Sequence, residues 1–449
     1  MIVCKFGGTS VADAGAIKRA AAIVRGRVLR QPIVVVSALA GVTNALLAIA
    51  EQASSGQLIA AIRGVEELRA RHLKDCEQLL GREDGDVAAE VGSTFDELAA
   101  LAEALNTLGH TTPRSQDAIA AIGERCASLI VVGAFRKCGL NAVHVEARDV
   151  IRTDAQYTRA EPKLDTIAAL AREHVLPKVR AGEIPVMGGF VGATDKGITT
   201  TLGRGGGDYS AALVGAALQV EAIEIWTDVD GMLTADPRVV QGAKLIEEIR
   251  FDEAAELASF GAKVLHPSTI TPAVKVGIPV YIFNSRNPEG KGTRITFDAP
   301  RRPVTAIAGK TGVTILRVRT TRMLLAHGFL REIFDVFARH RTSVDVVATS
   351  EVSVSLTVDD VSHLDDLVHE LSLLGDVSLD RNRGIVALVG ADLGTSSPTM
   401  ARALTALGEL HVHMLSLSAT GINLTMLVDG DAVPEAMRRL HEAFFGGTK

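Results

Sequence analysis

Ile2-Val3-Cys4-Lys5-Phe6-Gly7-Gly8-Thr9-Ser10 decides how this chain is read. Apolar residues that run into a lysine and two glycines describe a strand whose exit loop brings backbone N–H groups and one fixed cation against an anion. Two later stretches answer it. Thr201-Leu202-Gly203-Arg204-Gly205-Gly206-Gly207-Asp208-Tyr209-Ser210 is a second glycine-rich loop, whose arginine and aspartate can close over the same anion. Its four glycines sacrifice backbone entropy that a merely structural loop would keep. Trp226-Thr227-Asp228-Val229-Asp230-Gly231 follows a further apolar run. The set points to phosphoryl transfer by a kinase outside the P-loop and protein-kinase designs.

Outward from these segments, the first two-thirds of the chain alternates apolar runs with helical spacing, the pattern of an α/β fold with a mainly parallel, buried sheet. Strands are expected at 2–5, 33–37, 142–146, 184–187, 222–226 and 280–283. Residues 55–110 carry no strand signal and read as a helical insertion. A helix is expected just after Gly207-Asp208, with Asp208 suited to cap it. Near 284–302 the texture changes to Asn287-Pro288, Gly290, Gly292, Pro300 and Pro303, a linker signal. Beyond it, two β-α-β-β-α patterns about 70 residues apart indicate an internal duplication.

Composition bounds the rest. The 449 residues call for two or three domains, and 47% hydrophobic with 22% charged residues is a globular balance. A net charge of −6 argues against a nucleic-acid partner. Cys4, Cys76, Cys126 and Cys138 have neither CxxC spacing nor disulfide-scaffold density, and read as buried thiols in a reducing compartment. With no apolar run of membrane length and a phosphate loop beginning at residue 5, the expectation is a soluble cytoplasmic protein without a leader. Gly309-Lys310-Thr311 imitates the end of a Walker A loop, but Val304 stands where its first glycine is required. The twelve histidines show no zinc spacing with cysteine.

The three segments, in this order and with Phe260-Gly261-Ala262-Lys263-Val264-Leu265-His266-Pro267, resemble the aspartate kinases of the amino-acid kinase superfamily, most of all the single-function, lysine-inhibited type. The resemblance covers nearly the whole chain. It implies an amino-acid-kinase α/β fold, a mainly parallel sheet between helices, followed by two ferredoxin-like ACT domains. The expected divisions are a catalytic domain over 1–295, a linker and first ACT domain over 296–384, and a second over 385–449, completed by a strand near 305–308. It also implies Mg-ATP and L-aspartate as reactants. Phosphorylating a carboxylate of pKa ~3.9 needs no strong base; the site must neutralise charge and align two anions.

By resemblance, Lys5 and Asp208 are the catalytic pair, and Ser37, Thr43, Glu124, Phe190 and Arg204 bind aspartate, with Arg204 suited to grip a carboxylate two-pronged. Lys5, Gly7, Gly8, Thr227, Asp228, Leu233, Arg238 and Lys263 fall on ATP-binding positions. Taken singly, Ser37 and Thr43 could serve a turn and a helix cap, and Glu124 a solvated helix face. The chain departs from the family at Gly207, where a serine is usual, at Leu233, often tyrosine, and at Asp230, often proline. An effector site is implied at Met323, Ala326, Phe329, Leu330, Ser343, Val344, Asp345, Ser350 and Glu351, with Ala326 where a serine is common. Asp345 and Glu351 suit an effector with extra positive charge, so L-lysine is expected; threonine stays open. An effector held between ACT domains of two subunits implies a homodimer as the minimum assembly, with a tetramer open. Two rival readings are a superfamily member with a different acceptor and a non-catalytic ACT-type amino-acid sensor.

Overall fold

The computed structural model describes residues 1–81, 85–260, 267–323 and 327–446. They form two compact units, one of residues 1–232 and 264–299, the other of 233–263 and 300–449.

In the first unit the strand Ile2–Phe6 pairs in parallel with both Pro32–Val36 and Ala222–Thr227. The sheet continues from Pro32–Val36 to Ile184–Gly188 and Ala142–His144, and on the other side to Val280–Asn284, all parallel. Thr293–Ile295 adds an antiparallel strand beside Val280–Asn284. The central strands are buried on both faces, as their unbroken apolar runs require. Ile2, Cys4 and Phe6 face one large core, which also takes in the helices Ala14–Arg25, Val42–Ser54, Leu58–Leu80, Gly85–Leu108 and Pro113–Lys137. Strand alternation turns Val3 and Lys5 the other way, where the helix Gly206–Leu218 packs. The stretch expected to be helical at 55–110 holds the helices Leu58–Leu80 and Gly85–Leu108.

Pro113–Lys137 is apolar and long enough to cross a membrane, yet 89% of its most apolar window is buried in the protein. Its small residues let it approach the sheet. A Cβ on Gly123 would lie 2.8 Å from that of Ala38, with Val42 and Leu46 only slightly farther. That close fit sets the depth at which the next residue, Glu124, sits.

The second unit holds an antiparallel sheet in the order Val347–Thr349, Ser353–Val358, Ala306–Arg319, Asp376–Val389, Asn423–Asp429, Met414–Leu417. Where the sequence suggested two short strands near 305–308 and 313–318, there is one strand, Ala306–Arg319, with register shifts at Thr311/Val313 and Val313/Ile315. Gly312, at φ +78°, carries the first irregularity. Asp376–Val389 likewise extends the strand expected at 385–389. One end of these two long strands carries Phe329–Arg339 and Leu364–Leu371 on a shared core. The other carries Ser397–Leu407 and Val433–Phe445. Each end is thus a small sheet with two helices, and the pair is joined through continuous backbone.

The close approach at Gly123 is testable. Gly123→Ala overpacks a tight contact and should lower stability by about 1–3 kcal/mol. The first transition in urea would move to lower concentration, and an unmoved transition would show that the helix has slack here.

Candidate active site

Lys5 is the fourth residue of the Ile2–Phe6 strand, so it emerges at the carboxyl edge of the sheet, where open α/β sheets bind ligands. Its Nζ lies 2.8 Å from Asp208 Oδ1, with side-chain exposures of 11% and 13%. Oδ1 is buried, and among the described residues its polar contact is this ion pair. Asp208 is the third residue of Gly206–Leu218, not its cap: Gly205 holds that place at φ +73°, a left-handed conformation that favours glycine. The helix therefore presents free N–H groups and its positive dipole end beside Lys5.

The glycines here are needed for space as well as conformation. A Cβ on Gly206 would lie 2.6 Å from Phe190 Cδ2, and one on Gly207 would lie 3.1 Å from both Lys5 Cε and Ser37 Oγ. The hydroxyl missing at Gly207 thus has Ser37 as a near neighbour.

These groups open onto a cleft of ≈ 580 Å³. Of the residues singled out in the sequence, Lys5, Gly8, Ser37, Thr43, Glu124, Phe190, Arg204 and Asp208 line it together. Ser37 follows the Pro32–Val36 strand, its N–H donating to Phe6 O at 3.1 Å. Thr43 is in the first turn of Val42–Ser54. Phe190 is held at φ +65°; its N–H donates to Ser210 Oγ, whose hydroxyl donates to Gly206 O, both at 2.9 Å. Arg204 is exposed and makes no ion pair among the described residues.

Glu124 is not a solvated helix residue. It is 4% exposed, and its Oε2 has no hydrogen-bond partner among the described residues. Burial pushes its carboxyl up to about 8, against the opposing pull of the Ala38 backbone N–H and the Lys5 charge. At neutral pH it is largely a neutral acid that ionises readily when a cation arrives.

The nucleotide positions are more dispersed. Gly7 N–H donates to Trp226 O at 3.0 Å, tying the first loop to the Ala222–Thr227 strand. Thr227, whose hydroxyl donates to Asp228 Oδ1 at 3.3 Å, and Asp228 end that strand and are not among the residues lining the cleft. Leu233 and Arg238 belong to the second unit, where Leu233 bridges to Leu245 and Arg238 pairs with Asp236 at 2.6 Å. Lys263 lies outside the described residues, as do Gly261–His266 of its segment.

Among effector positions, Phe329 is buried, Leu330 is 39% exposed, and Met323 packs against the same core as Phe329. Ser350 Oγ lies 2.7 Å from Ser353 Oγ, and Ser343 and Glu351 are exposed. Asp345, next to Val344, is already engaged: Lys310 Nζ lies 3.2 Å from it and 2.6 Å from Asp359. Ala326 lies outside the described residues. The sequence reading passed over Asp117 and Thr158, and gave Thr201 and Ser210 no role beyond membership of the glycine-rich stretch. Asp117 carries the one available signal, standing seven residues before Glu124 and so on the same helix face.

Residues 1–284 match the amino acid kinase family and residues 386–444 an ACT domain. The lysine-sensitive aspartokinase 3 of Escherichia coli is 38% identical over 99% of each chain. The chloroplastic aspartokinase 3 of Arabidopsis thaliana is 36% identical over 99% of this chain and 81% of its own length. Among solved structures, E. coli aspartokinase III in complex with aspartate and ADP (R-state) matches 99% of this chain and 100% of its own at a TM-score of 0.87 and 38% identity. The same enzyme in complex with lysine and aspartate (T-state) matches with a TM-score of 0.83 at 38% identity over 99% of each chain. A lysine and a helix N-terminus converging on one cleft, in an α/β unit followed by paired ACT-type modules, are thus the architecture of a known family, and the chain belongs to the aspartokinases.

Proposed function

We propose that this chain is a feedback-regulated aspartate kinase, transferring the γ-phosphoryl group of ATP to the side-chain carboxylate of L-aspartate to give ADP and 4-phospho-L-aspartate. The observation that carries the reading is the convergence of Lys5, Asp208 and the N-terminus of Gly206–Leu218 on the cleft that Glu124 and Arg204 also line. The aspartate and ADP held by the E. coli structure support the same reactants.

In this reading Arg204 takes the α-carboxylate of aspartate and Glu124 its ammonium group, with Ser37 and Thr43 hydroxyls and the Phe190 ring completing the pocket. One oxygen of the side-chain carboxylate attacks the γ-phosphorus as the bond to the bridging oxygen of ADP breaks. No proton needs to move. Lys5 and the helix N–H groups neutralise charge spread over the transferring group. Gly7 and Gly8 let the backbone approach the phosphates, and Thr227, Asp228, Leu233, Arg238 and Lys263 are assigned to the rest of the nucleotide.

The donor set fits Mg²⁺, which keeps water and phosphate ligands and needs one or two protein carboxylates. Asp208, which lines the cleft with its Oδ1 paired to Lys5, is the carboxylate that would face it. Bound with ATP, the ion would screen the β- and γ-phosphate charges.

We assign regulation to L-lysine, acting at the ACT-type modules of a homodimer. The E. coli relative is lysine-sensitive by name, and its structure with lysine supports the assignment. Asp345 then exchanges one ammonium, that of Lys310, for another.

Three outcomes are expected. Lys5→Ala and Asp208→Asn should each lower kcat by about 10²–10³-fold with unfolding midpoints near the parent's, as expected for charge stabilisation in a partly open cleft. Aspartate-dependent ADP release, with the acyl phosphate trapped by hydroxylamine, measures this; a variant at parental kcat removes its residue from the mechanism. Glu124 gives a pH signature. Below about pH 8 the free protein holds its proton, so binding the substrate ammonium must expel it. The KM for aspartate should fall by up to tenfold per unit as pH rises towards 8 and then level. Glu124→Gln should flatten that slope, and a parental KM constant between pH 6.5 and 8.5 would reject the assignment. Finally, lysine should inhibit turnover, and Asp345→Ala should raise the lysine midpoint; activity constant across a wide lysine titration would remove lysine as the effector.

A further inference from the structure

Asp117 lines the cleft and is 1% exposed, yet it makes no ion pair among the described residues. Its carboxylate instead accepts three hydrogen bonds from two different loops. Oδ2 takes the N–H groups of Thr158 at 2.9 Å and Thr201 at 3.1 Å, and Oδ1 takes the Thr201 hydroxyl at 2.5 Å. Thr201 ends the strand Thr199–Thr201, from which the glycine-rich loop with Arg204 and Asp208 springs. Thr158 lies in a strap over that loop, at φ +69°, a conformation costly for a branched side chain. The strap and loop are joined again by Ala160 N–H to Thr201 O at 2.9 Å, and Gly203 passes so close that a Cβ there would lie 3.1 Å from Thr158 O.

Asp117 and Glu124 stand two helical turns apart on Pro113–Lys137. A single rigid helix therefore fixes both the acid assigned to the substrate ammonium and the anchor of the loop assigned to the substrate carboxylate. We propose that Asp117 is a positioning residue for phosphoryl transfer: its carboxylate sets the distance between the Arg204–Asp208 loop and the Glu124 floor, holding the strap and loop in the geometry that seats aspartate. This rests on the aspartate kinase reading above. A buried carboxylate with three donors is a stiffer anchor than a neutral amide, because charged hydrogen bonds are about twice as strong. A displacement of about 1 Å at a reacting group can cost about 10²-fold in rate.

The test compares Asp117→Asn, Thr201→Val and the double variant in the full chain with Mg-ATP. Asp117→Asn should raise the KM for aspartate and lower kcat, reducing kcat/KM for aspartate about 10–100-fold, while the KM for ATP stays within about twofold. Thr201→Val, which removes only the hydroxyl donor, should give a smaller loss of the same kind. In the Asp117→Asn background it should cost little more, since both act through one contact. A merely structural carboxylate would lower the unfolding midpoint while leaving kcat and the aspartate KM at parental values below the transition; that result overturns the proposal. Should Asp117→Asn fail to fold, Thr201→Val decides: a parental aspartate KM and kcat then reject the role. A parent chain with no aspartate-dependent turnover would instead reject the underlying activity, a separate outcome from equal turnover in parent and variants.

Discussion

The structure depends on where the first strand ends. Ile2–Phe6 lies in the middle of a parallel sheet, in register with neighbours on both sides, so Lys5 cannot shift without dragging the sheet. Strand alternation turns it towards one helix, and the glycines of that helix's entry let the N-terminus approach to ion-pair distance. An anion site results from three elements that are individually ordinary: a strand end, a helix dipole and a cation. Glycine is required at Gly206, where a Cβ would lie 2.6 Å from Phe190 Cδ2; at Gly207 a Cβ would press on Lys5 and Ser37 at 3.1 Å.

The site must bring an anionic acceptor against a triphosphate, and the distribution of its own carboxylates reflects that difficulty. Asp208 is paired with Lys5, Asp117 is held by three hydrogen bonds, and Glu124 is kept mostly neutral by burial. No acid in the cleft adds uncompensated negative charge beside the phosphates. The same burial that raises the Glu124 carboxyl makes its ionisation conditional on the right partner, which is a form of recognition.

The parallel strands and the place of Lys5 at a strand end were legible because both follow from local pattern: continuous apolar runs, and two glycines after a lysine. The residues lining the cleft were legible only in part. Ser37, Thr43, Glu124, Phe190 and Arg204 were reached by resemblance, since a serine after a strand or a glutamate in a helix has no local signature of function. Asp117 was missed because its partners Thr158 and Thr201 are 41 and 84 residues away, and no spacing rule links an aspartate to backbone N–H groups at that range. Asp208 looked suited to cap its helix because the helix start was set one turn late; Gly205 supplies the left-handed residue instead. In the second unit, a glycine and a bulge were taken for a strand boundary, although a bulge interrupts register without ending a strand.

That continuity has a mechanical meaning. Ala306–Arg319 and Asp376–Val389 pair across both small modules, so the two cannot move independently without breaking the longest ladder in the unit. Lys310 sits beside the bulge on one of these strands and reaches Asp345 and Asp359 at 3.2 and 2.6 Å. Asp345 is thus bound, through a lysine ammonium, to the strand the modules share. A cation that competed for Asp345 would leave Lys310 paired with Asp359, beside the point where the ladder is already irregular. A charge exchange at Asp345 would thus act on an ion pair anchored in shared backbone, and packed elements pass such changes on as discrete rearrangements because close-packed interiors do not deform continuously.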